Sequence, residues 1–77
     1  MMDIQFALDQ LALCTTLTAS WAAYVHDRLA EVERAVNQVD AFANLRPGGR
    51  VSLALAPIVA DYRSQMAVVR LRYREVM

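Results

Sequence analysis

Apolar residues recur along this chain at the spacing of a helix face. Val25, Leu29, Val32, Val36, Val39 and Ala43 step by four and three. The run Arg46-Pro47-Gly48-Gly49-Arg50 interrupts the stripe, and Ile58, Tyr62, Met66, Val69, Tyr73 and Val76 resume it. Two such stripes either side of a turn signal predict two helices folded back on each other along one apolar seam. The expected fold class is all-α: an antiparallel helical hairpin, coiled-coil-like, with an additional N-terminal helical segment.

The spacing predicts an opening helix over 3–17, with Asp3 as N-cap and Ile4, Leu8 and Leu11 as its stripe. Phe6, Leu13 and Leu17 fall off that stripe, and an element apolar on several sides is usually buried on several sides. Thr15, Thr16 and Thr18 are poor helix formers, because β-branching restricts the side chain and hydroxyls compete for backbone bonds. A break near 15–20 follows, with Ser20 available to cap a helix starting at Trp21. One continuous helix from 3 to 44 is the alternative.

The main helix is expected over 21–44. Asp27, Arg28, Glu31, Glu33, Arg34, Asn37, Gln38 and Asp40 cover its polar side, with Glu31 and Arg34 spaced to pair. A Pro-Gly-Gly turn over 45–50 ends it, since proline cannot continue the helix and glycine supplies the backbone states reversal needs. A C-terminal helix is expected over 51–76. Pro57 suits a first turn and not a helix interior. The helix therefore starts near Ala56, or starts near Arg50 and kinks at Pro57. The whole chain reads as one small helical domain, 1–77.

Composition changes the picture in one respect. Of 77 residues, 57% are hydrophobic, more than the roughly 3/7 of positions a bundle helix directs to a core. A two-helix hairpin has little interior for the surplus, and a chain this short usually needs staples or partners. Its one cysteine, Cys14, forms no internal disulfide, and its apolar neighbours mark it as a small hydrophobe. The surplus is therefore expected to lie against another chain.

Net charge is zero but unevenly spread. Residues 1–45 carry Asp3, Asp9, Asp27, Glu31, Glu33 and Asp40 against Arg28 and Arg34, a balance of −4. Residues 46–77 carry Arg46, Arg50, Arg63, Arg70, Arg72 and Arg74 against Asp61 and Glu75, a balance of +4. Complementary flanks favour an antiparallel register. They also explain the arginines without nucleic acid, because residues 70 and 72 point about 200° apart on a helix.

No phosphate loop, metal-ligand spacing or nucleophile–base pair is present, so neither enzyme activity nor a cofactor is expected. His26, alone beside Asp27, reads as a solvated residue. The charge-free run Gln10–Val25 is 16 residues long, short of the ~20 that span a bilayer. Met1-Met2-Asp3 places an acid where a secretory signal needs positive charge. A cytoplasmic protein is expected.

Trp21 and Tyr24 head the main helix on a face other than that of Val25 and Leu29. Such rings either form a second core layer under the opening helix or anchor a partner.

With its helix–proline turn–helix plan and the run Met66-Ala67-Val68-Val69-Arg70-Leu71-Arg72-Tyr73, the chain resembles the small co-chaperones of bacterial type III secretion needle subunits over residues 21–76. The resemblance implies an assembly role, with the hairpin laid against a helical chaperone or secretion subunit as an obligate heterodimer. The contacts expected are Leu17, Trp21 and Tyr24 on one edge and Tyr62, Val69 and Tyr73 near the seam. Tyr62 and Tyr73 fit the hairpin core equally well. The needle subunits share the hairpin but are more polar and extend further past the second helix. Two competing classes are a self-assembling hairpin subunit, needle-like or homo-oligomeric, and a membrane-associated helical protein using residues 4–25. That segment lacks the basic polar face an interfacial helix uses.

Overall fold

The computed structural model describes residues 3–74, which form three helices and no strand. These are α1 (Ile4–Leu13), α2 (Ala19–Ala43) and α3 (Arg50–Tyr73).

Asp3 caps α1, its carboxylate accepting from the Phe6 backbone N–H at 3.0 Å. The helix stops at Leu13 rather than at 17, and Cys14 is already extended. The threonine-rich stretch is therefore a connection, and 3–44 is two helices. Thr18, not Ser20, caps α2: its hydroxyl accepts from the Trp21 N–H at 3.3 Å. At the other end Asn44 closes α2, and Gly48 turns the chain with a φ of +80°. A side chain is strained there, which is why glycine holds the position.

α3 begins at Arg50 and runs through Pro57. Proline has no N–H to give the carbonyl of residue 53, so this helix lacks one internal bond in its N-terminal half. Leu53 and Pro57 are both exposed, and water can serve the carbonyl instead.

The core joins Ile4, Ala7, Leu8 and Leu11 of α1 to Ala22, Val25, Leu29, Val32 and Val36 of α2 and Val59, Met66, Val69 and Tyr73 of α3. The α2 stripe is as expected, with Val39 only partly covered. Along α3 the buried position is Val59, while Ile58 is 43% exposed. From Tyr73 back, the steps 69, 66, 62 and 59 alternate four and three, and Ile58 departs from that alternation. Val76 lies outside the described residues. α1 is buried on one side only, for Phe6 and Leu13 are exposed, as is Leu17 in the connection that follows.

Polar contacts order the helices. Asp40 meets Arg63 at 3.4 Å and Glu33 meets Arg70 at 2.9 Å, so residue numbers fall along α2 as they rise along α3. The acidic and basic halves thus face each other as charge predicted, although pairs this exposed are worth about 0–1 kcal/mol each. Glu31 pairs with Arg28 at 2.6 Å, not with Arg34. Between α1 and α3 the numbers rise together. The Gln5 and Gln65 amides exchange hydrogen bonds at 2.9 and 3.1 Å. Arg72 donates to the carbonyls of Ala12 and Cys14, both at 2.8 Å, and the Tyr73 hydroxyl donates to Cys14 at 3.3 Å. Arg72 thereby serves carbonyls that the end of α1 leaves without helical partners.

At about 1.5 Å per residue α2 and α3 are some 36 Å long and α1 only 15 Å. The short helix covers less than half of the long pair. The molecule measures 44 × 20 × 19 Å, with a radius of gyration of 13.8 Å against about 11.5 Å for a compact chain of this length.

Candidate functional site

Of the six residues expected at an interface, the structure takes up two inside the molecule. Val69 and Tyr73 are fully buried, and Tyr62 is half-buried against the core. Tyr73 packs in the three-helix region with its hydroxyl satisfied by Cys14. These residues hold α3 in place and have little surface to offer.

Leu17, Trp21 and Tyr24 are different. The connection between α1 and α2 ends at the Thr18 cap, which fixes the first turn of α2 beside α1. Trp21 and Tyr24 lie one turn apart and their rings meet, with centroids 5.0 Å apart and planes tilted by 31°. α1 flanks them on one side only. The result is a groove of about 260 Å³ between α1 and α2, with Phe6 and Leu11 on one wall, Trp21 and Tyr24 on the other, and Gln10 and Arg28 at its polar edge. Tyr24 remains 51% exposed and Leu17 56%. α1 borders the two rings without covering them.

Sequence reasoning missed Phe6, Gln10 and Arg28. Phe6 lies off the α1 stripe, and that displacement was the available signal: an off-stripe aromatic faces something other than the core. It also misread His26, which is half-buried, with its Nε2 atom shielded from solvent and lacking a hydrogen-bond partner. Ala67, Leu71 and the arginines at 70 and 74 form a shallow depression around it. Cys14 is packed partly against the core, its thiol donating to the Gln10 carbonyl at 3.3 Å.

The groove is lined mainly by apolar and aromatic side chains. Its aromatic pair supplies large, rigid contact area at small entropic cost, and its polar edge offers an amide and a guanidinium. Among the described residues no group of three or more His, Cys, Asp or Glu side chains could hold a metal ion, and no helix is long and apolar enough to cross a membrane.

No protein-family model matches this chain, and neither a curated protein nor a solved structure matches it.

Proposed function

We propose that the protein is a non-enzymatic assembly module that binds a helix of a partner protein in the α1–α2 groove. The observation that carries this reading is the Trp21–Tyr24 pair: two rings in mutual contact, lining an apolar groove, each with substantial surface uncovered. Buried aromatic anchors of this kind dominate interface energetics once a partner excludes water from them. A partner helix with apolar residues at i, i+3 and i+4 suits such a groove.

In its more specific form, the protein is a cytoplasmic co-chaperone that holds a chaperone or needle-type subunit of a type III secretion system as an obligate heteromer. Support for this comes from the chain's helix–proline turn–helix plan and the 66–73 run. In the same reading α2 and α3 act as an antiparallel, coiled-coil-like hairpin with α1 as an added segment. The four–three spacing of buried positions and the opposed order of the Asp40–Arg63 and Glu33–Arg70 pairs support it.

Co-expression with a candidate helical-repeat chaperone or needle subunit tests the reading, followed by light scattering on the purified complex. A stoichiometric heteromer is expected. Trp21→Ala should weaken it at least tenfold, as loss of an aromatic anchor does, while the melting curve of the free protein moves little. If Trp21→Ala instead unfolds the free protein, the ring is core and the groove reading fails. A defined oligomer of the chain alone, unchanged by the candidate partner, would favour self-assembly.

A further inference from the structure

The end of the molecule far from α1 carries a second concave surface. A cleft of about 430 Å³ lies between the last turn of α2 and the first turn of α3. Phe42, Leu45 and Val51 line it, each about half exposed or more, and Arg46 and Arg50 stand in its wall. This volume falls within the roughly 300–1,000 Å³ of ligand-binding clefts.

Its electrostatics point one way. Between Asp40 and Asp61 the sequence holds no acidic residue, and Arg46 and Arg50 are its only charges. The Asp40 carboxylate already accepts from Arg63 and from the Asn44 amide. Arg63, Arg70 and Arg72 all have partners on other helices. Among the described residues, the side chains of Arg46 and Arg50 have no hydrogen bond or ion pair. The positive end of the α3 dipole adds to their field, since Gly49 offers no side-chain cap and the first turn contains no acid. An apolar floor under uncompensated positive charge calls for an apolar group that brings its own carboxylate. The surface is also concave. A flat bilayer cannot enter it, whereas a side chain projecting from a helix can.

We propose that this turn end docks a helix of a partner protein, seating one bulky apolar side chain among Phe42, Leu45 and Val51 and pairing Asp or Glu, a turn away, with Arg46 and Arg50. The surface is separate from the α1–α2 groove and does not depend on what binds there.

A random dodecapeptide display library, selected on the immobilised full chain, tests this. The enriched peptides are expected to carry a large apolar residue with Asp or Glu three or four positions away. Fluorescence anisotropy then follows a labelled synthetic peptide from that set. Combining Arg46→Glu with Arg50→Glu should weaken it by about tenfold or more, because reversed rim charges repel. Arg46→Gln with Arg50→Gln should have a smaller effect, and Trp21→Ala none. Neither arginine has an internal partner, so circular dichroism should show the helices intact. No enrichment, enrichment without acidic residues, or affinity unmoved by the double reversal overturns the proposal. Two further results also overturn it. One is sedimentation with phosphatidylserine vesicles without selection of acidic peptides, which would make the end a membrane tip. The other is self-association abolished by the double reversal, which would make it a contact between copies.

Discussion

α2 and α3 are shared by two regions that differ in what covers them. Over one half, α1 packs against both helices, and its own Leu8 and Leu11 are buried there with 1% and 2% of their surface exposed. Toward the turn burial thins out: beyond Val36 on α2 only Ala43 is buried, and before Met66 on α3 only Val59. The polar contacts divide the same way: the glutamine pair and the Arg72 and Tyr73 bonds to α1 all belong to the first region. The difference shows how few residues a third helix needs in order to make a core. Two helices alone bury a single seam, and a ten-residue addition closes a triangle around it.

The largest expected effect removes both regions together. Val32 is fully buried in the common seam, and Val32→Asp would place a charge there without a partner. A loss of about 4 kcal/mol or more is expected, seen as disappearance of the cooperative melt in circular dichroism. An unchanged melt would contradict the packing of α2 on α3.

A matched pair measures the contrast itself. Leu8→Ala should cost about 2–5 kcal/mol, as fully buried leucines do. Leu53→Ala, at a position 68% exposed, should stay within about 0.5 kcal/mol. Urea melts that give equal losses would erase the distinction between the regions.

Pro57→Ala acts in the opposite direction. It restores a helical N–H to the uncovered half, and a stabilisation of about 2 kcal/mol is expected after the greater freedom of the unfolded chain is subtracted. Amide exchange across 51–58 should slow as a result. Destabilisation would mean that proline is matched to the backbone there.

The smallest effect is Arg63→Ala, which removes an exposed pair. A change of about 0–1 kcal/mol is expected, shrinking further in 0.5 M salt. A larger or salt-independent loss would give the polar flank a share in holding the uncovered half together.

The covered half was only partly legible in the sequence. Periodicity identified Ile4, Leu8 and Leu11 and the stripe from Val25 to Val36, because a core-facing helix must repeat near 3.6 residues. It also gave the two break points, since proline, glycine and threonine act locally. Where local signals compete, the reading slipped by a few residues: Thr18 and Ser20 are both good caps, and Thr18 caps the helix. Ile58 and Val59 are equally apolar, so only continuation of the four–three alternation separates them. The groove was half visible. Trp21 and Tyr24 stood out as aromatics off the seam, but their wall, Phe6 and Gln10, comes from an element whose docking angle no periodicity encodes. Val69 and Tyr73 stand on the seam stripe, and the resemblance adds them as contacts; the structure buries both, with the Tyr73 hydroxyl held by Cys14.

The contacts that fix α1 also set a timetable. Gln5 and Ala12 find their partners at Gln65 and Arg72, each sixty positions later in the chain. At roughly 5–20 residues per second, a growing polypeptide displays α1 for about 3–12 s before those partners are made. During that interval the side of α1 that later meets α3 is open to whatever helix is nearby.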